Sequence, residues 1–279
     1  RQEEYYMAVG LNSNIKESDF QRKKLNLVVA LDISGSMDSS FNSYYYDNNN
    51  IFDFEKNKSK MEIANESVNI LIDQLKDDDR FGLVLFESGS HIAKPLNLVG
   101  ETDIEKIKEH VLEIEATGGT NFEAGYKSAN ELLAEYTNVN SDEYENRIIV
   151  ITDAMPNTGA TSEDSLMSMV QQNANKGIYT SFIGVGVDFN SELIETISNV
   201  KGANYYSVNS AEEFKSRMGE QFEYMVTPLV FDLEFNFASK DYQIEAVYGS
   251  DTVNKTTGNI MKVNTLFPSK SNSEGEVKG

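Results

Sequence analysis

Apolar residues along this chain fall into two arrangements, short near-continuous runs and stripes at helical spacing. Leu25 to Leu31 (LNLVVAL) is an apolar run that ends in an acidic, Ser/Gly-rich turn. A run of that length, with few polar breaks, predicts a strand buried on both faces, as in the middle of a parallel sheet. The pattern returns at Phe81 to Phe86, Arg147 to Ile151 and Tyr179 to Val187, with a shorter version at Asn204 to Val208. Between these runs the spacing changes to that of amphipathic helices. Lys60 to Leu75 sets Met61, Ala64, Val68, Leu71, Ile72 and Leu75 on one side, and Asp103 to Ile114 follows with Thr102 as its expected N-cap. Further helices are expected at Phe122 to Tyr136, Glu163 to Asn175, Ser191 to Ser198 and Ala211 to Met225.

Strands alternating with helices imply right-handed crossovers, hence an α/β fold with a doubly wound, mostly parallel sheet. His91 to Leu98 is too short for a crossover and predicts an antiparallel edge strand after Phe86. Two regions break the rhythm. Asp38 to Lys56 is a polar, Asn- and Tyr-rich insertion between the first strand and its helix. After Pro228 the pattern becomes alternation, in LVFDLEFNF and YQIEAVYG, which predicts antiparallel strands. Tyr5 to Leu11 is expected to pair with that unit. The division is then 1–20 as an N-terminal strand region and 21–227 as the α/β domain with its insertion at 38–56. Residues 228–279 begin a second, sandwich-like β unit.

Composition narrows the functions. The chain has 279 residues, 39% hydrophobic, with 15 Phe and 14 Tyr, enough for a sizeable core. Its 45 acidic and 24 basic side chains leave a net charge of -21. Such a surface repels nucleic acid and anionic lipid and attracts cations. No apolar run approaches the roughly 20 residues that cross a bilayer, so no membrane insertion is expected within this chain. The start, RQEEYYMAVG, lacks the basic-then-apolar pattern of a secretory signal, and Arg1 in place of Met points to an excised or processed fragment. There are no cysteines, hence no disulfides or thiolate metal sites.

Open parallel sheets bind ligands beyond the carboxyl ends of their strands, so the polar residues there carry the chemistry. The first strand ends in Asp32-Ile33-Ser34-Gly35-Ser36, a D-x-S-x-S turn. A later loop reads Thr117-Gly118-Gly119-Thr120-Asn121, and RIIVIT ends in Asp153. Asp32, Ser34, Ser36, Thr120 and Asp153 all offer oxygen. Oxygen donors suit a hard cation such as Mg²⁺, with Mn²⁺ or Ca²⁺ as alternatives, whereas zinc favours His and Cys. The only histidines, His91 and His110, lie outside the pattern. With few direct carboxylate ligands, the cation keeps much of its charge and an open position that an outside carboxylate can complete. Gly118 and Gly119 let the Thr120 loop approach closely.

LVVALDISGSM, TGGTN and IVITDAMPNTG resemble the three loops of the von Willebrand factor A-type (VWA) metal-ion-dependent adhesion site (MIDAS), over roughly Leu25 to Val226. The resemblance implies that Asp32, Ser34 and Ser36 hold the metal, Thr120 binds directly or through water, and Asp153 mostly through water. It implies an adhesion or protein-interaction domain, extracellular or at the cell surface (periplasmic in a bacterium), whose partner supplies a carboxylate. YYMAVGLNSN and the strands after Pro228 also resemble two groups in which β-sandwich material flanks the domain. These are the proteins like calcium-activated chloride-channel accessory proteins and the inter-alpha-trypsin-inhibitor heavy chains. Integrin β-type domains carry an acidic pair beyond the last Ser. Here Asp38 is followed by Ser39 and Ser40, which puts that second site in doubt.

The insertion lies next to the D-x-S-x-S turn. Tyr44, Tyr45 and Tyr46, with Asp47 and Asp53, are candidates for a ligand rim, as are Gly119 and Asn121. Catalysis is not expected. The chain loosely resembles haloacid-dehalogenase-type phosphatases, but Ser34 stands where their second Asp is needed, and no Ser/His/Asp set, H-E-x-x-H or P-loop occurs. The alternative function is an intracellular scaffold or chaperone-type VWA domain. A third reading keeps the metal as a structural staple.

Overall fold

The computed structural model describes residues 5–10, 20–41, 58–137, 142–153, 163–186, 196–197, 199–250 and 253–269. Eight strands are found among them: β1 (Lys24–Asp32), β2 (Arg80–Phe86), β3 (Ser90–Leu98), β4 (Tyr144–Thr152), β5 (Ile178–Val185), β6 (Asn204–Val208), β7 (Val230–Asn236) and β8 (Asn259–Leu266). The helices are α1 (Lys60–Ile72), α2 (Ile104–Leu112), α3 (Phe122–Leu133), α4 (Glu163–Asn175), α5 (Ala211–Met218) and α6 (Phe222–Val226). The first six strands form one sheet in the order β3-β2-β1-β4-β5-β6, parallel except for β3, which pairs antiparallel with β2. β7 and β8 form a separate two-stranded antiparallel sheet.

The period-2 geometry of β1 divides the core between two layers. Leu25, Leu27, Val29 and Leu31 face a cluster that contains Met61, Val68 and Leu71 of α1, Val111 of α2, Phe214 of α5 and Phe222 of α6. Val28 and Ala30 face the other cluster, with Phe122, Tyr126 and Ala129 of α3 and Leu166 and Val170 of α4. Helices therefore cover both faces, as the apolar runs required. Every β1 residue from Leu25 to Asp32 is buried, which explains the near absence of polar breaks. α3 lies close to the sheet because Gly125 has no side chain, and a Cβ there would stand 2.6 Å from the Phe86 ring.

Several boundaries differ from those the sequence suggested. α1 stops at Ile72 and leaves Leu75 in the turn that follows. The N-cap of α2 is Asp103, whose side chain accepts from the Lys106 N–H, while Thr102 donates its hydroxyl to the Leu98 carbonyl instead. The stretch Ala211 to Met225 is two helices, because the chain breaks at Gly219, with φ -100° and ψ -101°. YQIEAVYG, Tyr242 to Gly249, is not a strand, and the partner of β7 is β8. Residues 5–10 form no strand either, although the Tyr5 ring packs edge-on against Tyr242 at 5.5 Å. Of the expected helix Ser191 to Ser198, residues 196 and 197 are described and are helical.

Candidate metal centre

The order β2-β1-β4 places the reversal of strand order between β1 and β4. This is where open α/β sheets form a crevice for ligands. β1 and β4 run side by side in register, Leu31 beside Ile151, so Asp32 and the Thr152-Asp153 pair leave the sheet together. The chain after Asp32 turns through a short 3₁₀ segment, Gly35–Asp38, whose Met37 is buried in the core and anchors the turn.

This turn brings four of the five candidate ligands, Asp32, Ser34, Ser36 and Asp153, into one hydrogen-bonded chain. The Ser34 N–H donates to Asp32 Oδ1 at 2.8 Å. The Ser34 and Ser36 hydroxyls stand 3.1 Å apart, and Ser36 Oγ donates to Asp153 Oδ1 at 2.8 Å. Asp32, Ser34 and Asp153 are buried, whereas Ser36 is exposed and marks the mouth of the site. The Thr117–Asn121 loop is held against the first by backbone hydrogen bonds, from Gly35 N–H to the Gly118 carbonyl at 3.1 Å and from Thr117 N–H to the Ile33 carbonyl at 2.6 Å. A Cβ on Gly35 would lie 3.3 Å from that carbonyl oxygen, and Gly118 adopts φ +71°. Thr120, two residues beyond Gly118, is buried.

Burial pushes the Asp32 carboxyl up to about 6, against the hydrogen bonds from Thr152 and Ser34 that favour its charged form. The Asp153 charge nearby raises it further. Two carboxylates thus share a desolvated corner, an arrangement that a bound cation relieves. Among the described residues, no group of three or more His, Asp or Glu side chains converges as a metal site. The donor set here is hydroxyl-rich.

Some sequence candidates take other parts. The Asn121 side chain caps α3 by accepting from Ala124 N–H at 3.1 Å, and its amide donates to the Ser88 carbonyl at 3.2 Å. The Gly119 N–H donates to Ser88 Oγ at 2.9 Å. These two positions hold the Thr120 loop to the β2–β3 turn. Tyr44, Tyr45, Tyr46, Asp47 and Asp53 lie outside the described residues.

Three contributors carried no motif. The Thr152 hydroxyl donates to Asp32 Oδ2 at 2.5 Å, Ser88 holds the Thr120 loop, and Lys60 Nζ donates to Asp153 Oδ2 at 2.8 Å. Thr152 directly precedes the strand-ending Asp, which is the one sequence signal any of them gave.

Comparisons with known proteins agree with this fold. The family model described as von Willebrand factor type A domain matches residues 27–156. Mouse inter-alpha-trypsin inhibitor heavy chain H2 is 24% identical over 182 residues, covering 64% of this chain and 19% of the mouse protein. The Escherichia coli protein YfbK, itself uncharacterized, is 26% identical over 216 residues, covering 76% of this chain and 34% of that protein. The chain thus spans a minor part of the length of these relatives. Among solved structures, a von Willebrand factor type A protein from Catenulispora acidiphila superposes with a TM-score of 0.59 at 16% identity, over 92% of this chain and 56% of that one. Proximal thread matrix protein 1 from the mussel byssus, with a zinc-occupied MIDAS motif, gives 0.55 at 19% identity, over 76% and 50%. Sheet order and these likenesses converge on a von Willebrand factor type A domain, which the family model places at residues 27–156.

Proposed function

We propose that the domain is a metal-dependent adhesion module, binding a divalent cation and, through it, an acidic group on a partner protein. The observation that carries this reading is the chain Asp32–Ser34–Ser36–Asp153, joined by hydrogen bonds at the switch point of the sheet. The donors are all oxygen, and they fit a hard cation, Mg²⁺ first and Mn²⁺ or Ca²⁺ next. Asp32, Ser34 and Ser36 would hold it, with Thr120 from the adjoining loop and Asp153 across the site. A bound divalent cation supplies a Lewis-acidic point that attracts a carboxylate. The protein's own part is to preorganise hydroxyls, exclude water around Asp32 and keep Ser36 at the open mouth. The zinc-occupied MIDAS of the mussel protein supports divalent binding by this type of site and leaves the ion open here.

The reading is one of binding rather than catalysis, because the hydroxyls and carboxylates of the site are tied to one another as an oxygen cradle of the kind that suits a hard cation. An extracellular or surface setting goes with it, supported by the β7–β8 sheet beside the domain. No helix of the described residues is long and apolar enough to cross a membrane. The intracellular scaffold reading shares the metal site and differs in its compartment and its partner.

Calorimetric titration of Mg²⁺ and Ca²⁺ into metal-stripped protein tests the proposal, alongside Asp32→Ala. One saturable site that disappears in the variant is the expected result. Absence of binding, or binding indifferent to Asp32, removes the metal-dependent reading and leaves a VWA fold that engages its partners elsewhere.

A further inference from the structure

Asp153 has a second partner that the adhesion-site pattern does not contain. Its Oδ1 accepts from Ser36 at the mouth, and its Oδ2 accepts from Lys60 Nζ at 2.8 Å. The carboxylate is 1% exposed and the lysine side chain 13%, so the pair is largely shielded from solvent. Lys60 is the first residue of α1, and its reach is fixed at both ends. A capping box between Ser59 and Glu62 sets the helix start, and the Lys60 N–H donates to the Ser39 carbonyl at 3.0 Å. At the far end the side chain passes beneath the end of β5, where a Cβ on Gly186 would lie 3.1 Å from Lys60 Cε. A surface ion pair is worth little, but one this shielded and this constrained acts on its neighbours' charge.

We infer that Lys60 is a positioning residue that sets the charge of the loaded site, holding metal affinity down and carboxylate affinity up. The inference rests on the metal-binding reading above. A divalent cation shared by Asp32 and Asp153 is formally neutral with them. The Lys60 ammonium restores a net positive charge, which repels the cation and attracts the partner's anion. It also occupies Asp153 Oδ2, leaving Oδ1 alone turned towards Ser36. Lys60 therefore trades metal affinity for ligand affinity, and the two must respond in opposite directions when its charge is removed. A structural role for the lysine predicts no such split.

The test uses Mn²⁺ and acetate as probes, with the wild-type chain, Lys60→Met and Lys60→Arg. Mn²⁺ affinity is measured by titration, and acetate binding to the Mn²⁺-loaded protein by the loss of water-proton relaxation as acetate displaces bound water. Lys60→Met is expected to bind Mn²⁺ on the order of tenfold more tightly and acetate at least roughly threefold more weakly. Lys60→Arg, which keeps the charge, stays near wild type on both. A wild-type chain that binds no Mn²⁺ overturns the metal site itself. Where the wild type binds, any pattern other than opposite shifts in Lys60→Met with restoration in Lys60→Arg overturns the role of Lys60 alone.

Discussion

Across the β1–β4 pair, the Thr152 hydroxyl donates to Asp32 Oδ2 at 2.5 Å, while the Ser34 N–H holds Oδ1 at 2.8 Å. Both oxygens of a buried carboxylate are thereby oriented before any cation arrives. A hydrogen bond to a charged group contributes about 1.5–3 kcal/mol. Thr152→Val keeps the shape of the strand and removes this bond. We expect Mg²⁺ affinity to fall by roughly tenfold, read by calorimetry, with the sheet intact by circular dichroism. Unchanged affinity would show that Ser34 alone orients Asp32.

The Asp32 carboxyl, pushed up to about 6 by burial, makes the metal-free fold sensitive to pH in a defined direction. A carboxyl whose folded pKa exceeds its unfolded value near 3.9 binds its proton more tightly in the native state. Its cost to stability is fully present above about pH 6 and is relieved as pH falls towards the unfolded value. Asp32→Asn removes that cost. In chelator, the variant is expected to be more stable than wild type at pH 8, by on the order of 2 kcal/mol. The gap closes between pH 6 and pH 4. Denaturant melts at several pH values check this, and added Mg²⁺ raises the wild type alone.

The features legible in the sequence are those that local chemistry dictates. Leu25 to Leu31 announces a central strand because both of its faces are buried, and Asp32, Ser34 and Ser36 are adjacent enough to imply a shared turn. Lys60 was invisible as a site residue because nothing local says that its side chain crosses from α1 to the end of β4. The strand β8 was missed for a different reason. Its apolar positions are diluted by Asn259, Lys262 and Asn264, whereas Tyr242 to Gly249 alternates well without pairing. The pair closes where Gly258 takes φ +79° and accepts at its carbonyl from the Phe237 N–H at 2.8 Å, a contact between residues 21 apart that local alternation does not reveal.

Gly118 and Gly119 separate cleanly despite their adjacency. Gly118 sits at φ +71°, and a Cβ there would run into the Glu87 carboxylate, at 2.4 Å from its Oε2. At Gly119 the nearest contact is Ser88 Oγ at 3.3 Å, with no positive φ. Gly118→Ala is therefore expected to cost about 1–3 kcal/mol and to weaken Mg²⁺ binding by displacing the Thr120 loop. Gly119→Ala should cost well under half of that. Thermal melts and metal titration of the pair decide it, and equal effects would mean that the loop adjusts freely.

The β7–β8 sheet is tied to the A domain at its base, far along β4 and β5 from the metal site. Arg147, fully buried on β4, lies over the rings of Tyr179 and Phe267, at 5.8 Å and 5.6 Å from their centroids. Its guanidinium also pairs with Glu145, at 2.5 Å, and donates to Ser181 Oγ at 2.9 Å. The Thr265 hydroxyl accepts from the Gly202 N–H at 2.7 Å, and Lys201 pairs with Asp232. Phe267 therefore covers a charge that the domain alone would leave open to water on one side. Phe267→Ala removes one of the two rings over the guanidinium, and we expect a loss of about 1–2 kcal/mol in chelator. Mg²⁺ affinity should stay unchanged, because the altered contact is with Arg147, in the first half of β4, whereas Asp153 lies just past the strand's other end. A fall in metal affinity would instead mean that the second sheet and the site are coupled through β4.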